Sequence, residues 1–517
     1  MALSVDVSPR SQSPREQIAS STRDLLLALP FLALFYIQLA HHIFWRDELN
    51  ALAIAWASPT IPSLFWHIHH EGHPWLWYMI LWIPSRFTHS LLVLKAVAAI
   101  VGTAIILWVA LRSPFRTWEK ALILAGYFFT FEYTVVVRMY GPMLLFFVLY
   151  LWRRTQREDR PIGNAVLLGL IASVDTIGII LSIALILEYV TALYLRGKPL
   201  FTRRTGAIAA LVYAVIAGFA VWSAKPAKDI SWRTTGRPFA EAKNMTHLYE
   251  SLLRYTVLPF LPVKSPRSDF FWNPWIHGNL VRYSIPMVIF LALLYWSFRG
   301  RWNLLLMLGA TIVAGTLFAH LIYAGSERHF GIVFLVFIAA AWILRAESPS
   351  TLLPWPVYAL LAISAASTIW VVIASWKHPF SYDKAAAQWI VRDHLNTMPL
   401  VAEGDTSAVG VAEYLHRPVY MIECSCVDTY LLFSSRRDNF TDADAPARIL
   451  QAEHFYHDQP LLFFREYEMK PEETAALERE GFTVEPLATF KEAEEIAENF
   501  YFYRLTLKPS PATGGSK

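Results

Sequence analysis

The chain has 517 residues, of which 55% are hydrophobic and 15% are aromatic, and its formal net charge at pH 7 is +4. The mean hydropathy of +0.36 and the long apolar runs exclude an ordinary water-soluble protein, while so small a net charge points to no particular class of partner. Lipid cannot satisfy a bare backbone, so these runs are expected to cross the membrane as helices. The sequence therefore predicts an all-α polytopic membrane protein.

The chain begins with a polar stretch, residues 1–24, which predicts a disordered cytoplasmic tail ahead of an uncleaved first span. A transmembrane domain over residues 25–375 follows, with about eleven spans. Short loops rich in Lys and Arg mark its cytoplasmic side. The predicted spans lie near residues 25–40, 90–111, 120–137, 138–152, 162–177, 178–196, 207–224, 281–299, 302–323, 329–345 and 351–375.

One apolar segment, residues 74–86, is short for a span, and we interpret it as a half-inserted or strongly tilted helix. If it crossed fully, the count would rise to about twelve or thirteen spans. Counted from a cytoplasmic N-terminus, three segments face away from the cytoplasm: the outer loops 41–75 and 225–280, and residues 376–517. The second loop mixes basic with aromatic residues, which suit sugars and phosphates or an interfacial belt equally well.

The last segment, residues 376–517, alternates helix-like with strand-like stretches and predicts a soluble C-terminal α/β domain. Its expected elements lie at residues 382–395, 399–402, 408–415, 418–422, 460–464, 471–480 and 500–507. Cys424 and Cys426 allow a strained disulfide, a reactive thiol pair or two inert residues. We favour two inert residues, because no further cysteine completes a metal set.

The first outer loop opens with two adjacent acids: residues 41–50 read HHIFWRDELN, which places Asp47 and Glu48 directly after the first span. In the plainer interpretation, both acids occupy the first turn of a helix and favour its positive dipole end. A second apolar helix follows a Ser-Pro break, and residues 69–75 then read HHEGHPW at the entrance to the next apolar run. This order of elements, more than the acidic pair alone, points to a function.

The frame of residues 41–81 resembles the first outer loop of the GT-C superfamily, membrane glycosyltransferases that use lipid-phosphate-linked sugars. In that superfamily an Asp-Glu pair follows the first span, and a His-Pro or Lys-Pro-Pro-like element opens a later helix. Relatives include protein mannosyltransferases and the transferase that adds aminoarabinose to lipid A. Residues 132–141 (EYTVVVRMYG) resemble the family's Arg-x-Tyr element and residues 325–330 (GSERHF) its Arg-His element, whereas residues 174–176 (VDT) depart from its Thr-His turn.

Transfer from a lipid phosphate needs one group to take a proton from the acceptor and others to stabilise the departing phosphate. Asp47 is the candidate general base, because partial desolvation near the interface raises the pKa of a carboxyl group, and Glu48 is its helper or a ligand. Snorkelling to lipid headgroups is the plainer interpretation of the basic residues at helix ends. The resemblance implies substrate-binding roles for Arg46, His73, Arg138, Tyr140, Arg328 and His329.

No metal is chemically obligatory, because the donor phosphate stays on the lipid and arginine and histidine side chains can supply the positive charge. We therefore expect no required cofactor and no metal ligand set, while a divalent cation stays compatible with the chemistry. A zinc site built from His69, His70, His73 and Glu71 is the alternative. The spacing of these residues within one short turn is poor for full coordination.

The leading hypothesis is an inverting glycosyltransferase that moves a sugar from a polyprenyl-phosphate donor to a lipid, glycan or protein acceptor on the extracytoplasmic face. We expect it in a bacterial inner membrane, with a cytoplasmic N-terminus, a periplasmic C-terminal domain and no nucleic-acid partner. One alternative is a transporter or flippase for a lipid-linked saccharide, in which charges would gather near the membrane midplane. Another is a non-catalytic assembly subunit whose C-terminal domain recruits a partner.

Overall fold

The computed structural model describes residues 14–156, 160–197, 204–231, 245–262, 281–457 and 459–508. Most of the second predicted outer loop, residues 232–244 and 263–280, lies outside these ranges, as do residues 1–13 of the predicted tail. The described chain has a helical part up to Lys377 and an α/β domain from Asp383 onward. The predicted fold class, an all-α polytopic domain followed by an α/β domain, is confirmed.

Long helices dominate the membrane part. They are α1 (Pro14–His41), α2 (Arg46–Ala57), α3 (Ile61–Glu71), α4 (Trp75–Ser85), α5 (Leu92–Arg112), α6 (Thr117–Leu124), α7 (Tyr140–Arg154), α8 (Pro161–Val174), α9 (Thr176–Leu195), α10 (Arg204–Ser223), α11 (Met245–Val257), α12 (Val281–Phe298), α13 (Trp302–Leu321), α14 (Glu327–Glu347) and α15 (Trp355–Lys377). Within the described ranges, seven of them are long and apolar enough to cross a membrane: α1 from Thr22 onward, α5, α9, α10, α13, α14 and α15.

Helix α1 starts earlier than expected. The sequence predicts a disordered tail over residues 1–24, but the helix already begins at Pro14. Proline is favoured in the first turn of a helix, where its missing N–H costs no hydrogen bond. The helix extends about three turns ahead of the apolar run that the sequence singled out.

The predicted span over residues 120–137 is wrong as a continuous helix. Helix α6 ends at Leu124, a π-turn covers Phe128–Glu132, and non-helical backbone follows up to the start of α7. The hydroxyl groups of Thr130 and Thr134 donate to backbone carbonyl groups of earlier residues and compete with helical hydrogen bonds. Surrounding protein buries this stretch, which is the condition under which a membrane protein tolerates irregular backbone.

Helix α4 corresponds to the short apolar segment 74–86. It has 11 residues, which at about 1.5 Å per residue gives about 16 Å, against about 30 Å for a hydrocarbon core. Pro74 precedes its first turn and Pro84 stands near its end. A straight helix of this length cannot cross alone, which agrees with the half-inserted interpretation.

Helix α14 is the central helix of the membrane part. Of the residues in its apolar 18-residue stretch, 89% are buried inside the protein, more than for any other candidate span in the described ranges. It is apolar all round, as expected for a helix that packs against α7, α9, α11 and α13 together. Its first turn carries Arg328 and His329, and near its other end Arg345 pairs with Glu119, both fully buried.

The C-terminal domain is built on a six-stranded sheet with the order β3-β2-β1-β4-β6-β5. Strands β2, β1 and β4 run parallel, and the remaining pairs are antiparallel. Its main elements are α16 (Asp383–Arg392), β1 (Leu400–Glu403), α17 (Asp405–Leu415), β2 (Val419–Met421), β3 (Cys426–Asp428), α18 (Ala445–Phe455), β4 (Leu461–Arg465), α19 (Pro471–Arg479), β5 (Phe482–Phe490) and β6 (Phe500–Leu507). The sequence missed β3, α18 and β5.

The two cysteines are joined, so the preference for inert residues is wrong. Cys424 and Cys426 form a disulfide, with Cα atoms 5.2 Å apart. Ser425 between them adopts a left-handed backbone conformation with φ of 49°, which folds the chain back on itself. This local turn brings the two side chains within the geometry that a disulfide requires.

The C-terminal domain lies against the first outer loop. The Tyr414 hydroxyl accepts the backbone N–H of Phe44 at 3.2 Å, and the Leu431 N–H donates to Asn50 Oδ1 at 2.8 Å. The described start of the second loop also reaches the domain, since an isolated antiparallel β-bridge pairs Ile230 with Ser434. The three segments that the sequence assigned to one side thus contact one another.

Candidate active site

A cavity of about 480 Å³ opens where the first outer loop, the membrane helices and the C-terminal domain meet. This volume is in the range of small-molecule sites. Six predicted site residues, Asp47 and five of the proposed substrate-binding residues, line it together, although 281 positions separate Asp47 from Arg328. Its acidic, arginine and histidine lining residues are Arg46, Asp47, Glu71, His73, Arg138, Asp175, Arg328 and His329.

Asp47 lies among three guanidinium groups. Its Oδ2 accepts hydrogen bonds from Arg138 Nη1 and, at 3.0 Å, from Arg328 Nη2. Arg46 Nε lies 4.0 Å from Asp47 Oδ1, and 28% of the Asp47 side chain remains exposed. Burial alone would raise the pKa of Asp47, but Arg138, Arg328 and Arg46 outweigh it and hold the pKa at about 2. In this arrangement Asp47 is an anion and a weak base.

Glu48, the second predicted catalytic residue, does not line the cavity. Its fully buried carboxylate accepts the backbone N–H groups of Trp45 and Val137 and lies 2.9 Å from His42 Nε2. The bond from Trp45 closes the first turn of α2 in the manner of a capping box. The plainer interpretation of the acidic pair therefore holds for Glu48, which also ties α2 to the irregular segment that carries Arg138.

Arg328 and His329 occupy the first turn of α14. The Arg328 guanidinium lies 5.4 Å from the centroid of the Trp45 ring, a cation–π contact that helps to orient it. His329 Nδ1 accepts the backbone N–H of Ser326 at 3.0 Å, and its Nε2 lies 3.4 Å from the Tyr140 hydroxyl. Tyr140 is itself fully buried, so it stands behind His329 and does not line the cavity.

His73 and Asp175 form a pair in the cavity wall, with His73 Nδ1 3.3 Å from Asp175 Oδ2. Asp175 separates α8 from α9, and its Oδ1 accepts the backbone N–H of Ile177 at 2.8 Å as the N-cap of α9. The resemblance gave no clear role to Asp175, because the family has a different turn here. The structure shows that it faces one of the predicted substrate-binding residues.

Glu71 lines the cavity, although the sequence suggested it only as an alternative metal ligand. Its Oε1 accepts a hydrogen bond from Asn50 Nδ2 at 3.3 Å, and its Oε2 accepts one from the Tyr78 hydroxyl at 3.0 Å. Burial raises the pKa of Glu71 to about 7, and the nearby His73 and Arg138 offset only part of this effect. Its place two residues before the His-Pro element was the signal available in the sequence.

The histidines of the first loop diverge. His69 Nδ1 lies 2.6 Å from the carbonyl oxygen of Lys225, and His70 Nε2 lies 3.0 Å from Asp229, while His73 faces the cavity. In the part of the chain that the structure describes, no group of three or more His, Cys, Asp or Glu side chains is placed to hold a metal ion. The zinc alternative from this turn is therefore not formed by these residues together.

Arg46 connects the cavity to the C-terminal domain. Its Nη1 donates to Thr406 Oγ1 at 3.2 Å and lies 3.4 Å from Glu466 Oε1. Its Nε lies 3.6 Å from Glu498 Oε1. Because Thr406, Glu466 and Glu498 already surround its guanidinium group, Arg46 is less available to a phosphate than the two arginines that converge on Asp47.

No protein-family model and no curated protein matches the chain. Among solved structures, the crystal structure of ArnT from Cupriavidus metallidurans bound to undecaprenyl phosphate matches at 14% identity and a TM-score of 0.45. The match covers 95% of this chain and 99% of that chain. ArnT is the GT-C aminoarabinose transferase, a relative that the sequence resemblance named.

Proposed function

We propose that the chain is a glycosyltransferase that moves a sugar from a polyprenyl-phosphate donor to an acceptor. The observation that supports this most is the convergence of Arg138 and Arg328 on one oxygen of Asp47 inside the cavity. Two guanidinium groups directed at one anion provide charge-assisted hydrogen bonds of the kind that bind phosphate oxygens. The carboxylate of Asp47 occupies the position that one phosphate oxygen would take.

Donor binding would change the base strength of Asp47. A phosphate that takes over Arg138 and Arg328 removes the two cations that lower the pKa of Asp47 most, and it brings a second anion close. Both changes raise the pKa, and the burial of Asp47 acts in the same direction. We assign the role of general base to Asp47 in this donor-bound state.

The proposed reaction proceeds in one displacement. Asp47 takes the proton of an acceptor hydroxyl or amine, and the acceptor atom forms a bond to the anomeric carbon. The bond from that carbon to the phosphate oxygen breaks, and its electron pair stays on the lipid phosphate. Arg138 and Arg328 stabilise the charge that develops there, so no metal is needed, although a divalent cation is compatible. Attack opposite to the leaving phosphate inverts the anomeric centre.

The position of the cavity suits a donor carried by the membrane. The chain is a multi-pass membrane protein, and the cavity lies at the end of its helices where the C-terminal domain packs. We place this end on the periplasmic side of a bacterial inner membrane and the N-terminus in the cytoplasm. Basic residues at the other helix ends support this orientation: Arg112, Arg154, Arg196, Arg301 and Arg345.

Release of free polyprenyl phosphate tests the proposal. Purified protein is offered a panel of polyprenyl-phosphate sugars with a crude acceptor extract, and the wild type is compared with Asp47→Asn. Release that depends on Asp47 supports the proposal and names the donor. No release with any donor from folded protein would contradict it, as would wild-type release by Asp47→Asn. Movement of labelled lipid across liposomes without a covalent product would instead indicate a transporter.

A further inference from the structure

A short segment of the C-terminal domain, residues 430–434, forms part of the wall of the cavity that contains Asp47. Leu431 and Phe433 of this segment line the cavity, as does Thr406 at the start of α17. The C-terminal domain therefore completes the cavity and does not merely lie beside it.

Neighbouring parts of the protein hold this segment in place. The backbone N–H of Leu431 donates to Asn50 Oδ1 at 2.8 Å, and the carbonyl oxygen of Phe433 accepts the backbone N–H of Ser231 at 2.9 Å. The Tyr430 hydroxyl lies 3.2 Å from His67 Nε2 in α3. Because these backbone groups are already bonded, the segment is a poor edge for a peptide that would add as a strand.

The ring of Phe433 is held from one side. The guanidinium carbon of Arg437 lies 5.2 Å from its centroid. Arg437 is itself fixed by Asp405, with Nη2 2.7 Å from Oδ1. An aromatic ring fixed in the wall of a cavity offers a flat apolar surface on which the C–H face of a sugar ring can pack.

One amide joins this segment to the carboxyl group of Glu71. Asn50 donates to Glu71 Oε1 at 3.3 Å with its Nδ2 and accepts the Leu431 N–H with its Oδ1. The other oxygen of Glu71 accepts the Tyr78 hydroxyl. In the described structure Glu71 is thus hydrogen-bonded to neutral groups, whereas Asp47 is bonded to arginines. Each oxygen of the Glu71 carboxyl group keeps a lone pair that can accept a sugar hydroxyl, and Asn50 holds the group in place.

We propose that Glu71, Asn50 and Phe433 form the acceptor subsite and that its ligand is a sugar ring with free hydroxyl groups. This inference rests on the proposed function, because the acceptor must reach Asp47 in the same cavity. Arg46 also lines the cavity, but it lies next to two glutamates of the C-terminal domain. The guanidinium group of Arg46 is thus already in contact with the C-terminal domain and is less available to a phosphorylated acceptor.

Acceptor kinetics test the subsite. With the donor identified by polyprenyl phosphate release, methyl glycosides of common hexoses serve as acceptor probes, and a Ser/Thr-rich peptide is the competing probe. We expect Phe433→Ala and Glu71→Gln to raise the apparent KM for the glycoside about tenfold and to leave the KM for the donor within about twofold. Phe433→Tyr keeps the ring and should restore most of the affinity for the glycoside that Phe433→Ala loses. Phe455→Ala, at a Phe that is 57% exposed on α18, is the matched control.

The outcomes separate the two proposals. If the wild type releases no polyprenyl phosphate from any donor, the proposed function fails and the subsite fails with it. If the wild type turns over but Phe433→Ala and Glu71→Gln keep the wild-type KM for the glycoside, the subsite alone is overturned. Stimulation by the peptide and not by any glycoside would also overturn it. A loss of folding in Phe433→Ala would show in its melting temperature, and Glu71→Gln then decides.

Discussion

Glu48 accepts the backbone N–H of Val137 and so ties the first turn of α2 to the irregular segment before α7. Asp47 directly precedes Glu48 in the sequence. Arg138 directly follows Val137, so this one buried hydrogen bond helps to fix how the two charged residues of the cavity face each other. Glu48 is therefore a positioning residue for the ion pair.

Replacement of Glu48 should damage both stability and activity. Glu48→Ala leaves the N–H groups of Trp45 and Val137 without their acceptor, which we expect to cost about 1–3 kcal/mol. Thermal unfolding and polyprenyl phosphate release measure the two effects. Asp47→Asn is the comparison variant: it should also lose activity, but it keeps both backbone hydrogen bonds and lowers the melting temperature only through the lost ion pair with Arg138 and Arg328. A Glu48→Ala protein as stable and as active as the wild type would contradict the positioning role.

The two converging arginines should act on the donor. Arg138→Lys and Arg328→Lys keep the charge but lose the planar fork, and each should weaken donor binding by about 1.5–3 kcal/mol, roughly 10- to 150-fold in KM. Arg196→Lys, whose side chain is 51% exposed and pairs with Glu347 away from the cavity, is the control. Unchanged donor KM in both cavity variants would show that the arginines only hold Asp47.

Much of this cavity was predictable from the sequence, because Asp47, Arg138 and Arg328 each stand beside a recognisable motif. The sequence did not predict Glu71 as a substrate-binding residue, because the neighbouring histidines suggested a metal ligand instead. The burial that raises its pKa is visible only in the structure. The sequence did not predict Phe433 at all, because its place in the cavity depends on contacts between segments far apart in the chain. Hydropathy also cannot distinguish a membrane helix from buried irregular backbone, which explains the error at residues 120–137.

The raised pKa of Glu71 predicts a pH dependence of stability. Burial holds the proton on Glu71 up to about pH 7 in the folded protein, whereas its ordinary pKa is 4.5. The folded state therefore binds more protons between these values, and this residue makes stability fall as the pH rises from about 4.5 to about 7. Glu71→Gln removes that fall, so its melting temperature should gain on the wild type across this window. If the melting temperatures of both proteins change in parallel with pH across this window, the raised pKa of Glu71 is contradicted.

The buried pair at the far end of α14 should matter for stability alone. Arg345 donates to Glu119, which also accepts the Tyr358 hydroxyl at 2.7 Å, and both charged side chains are fully buried. Glu119→Ala leaves Arg345 unpaired and should destabilise the protein by about 3–5 kcal/mol. Denaturant titration in detergent measures this cost. Activity per folded molecule should stay at the wild-type level. A loss of activity in the folded variant would contradict the prediction that this pair affects stability alone.

Binding of polyprenyl phosphate without a sugar tests whether Arg138 and Arg328 bind the donor phosphate, because it separates affinity from turnover. If Asp47 holds the arginines where the donor phosphate binds, Asp47→Asn removes a competing anion and should bind polyprenyl phosphate more tightly than the wild type. Arg138→Lys and Arg328→Lys should bind it more weakly. Weaker binding by Asp47→Asn, or wild-type binding by both arginine variants, would show that the arginines do not form the phosphate site.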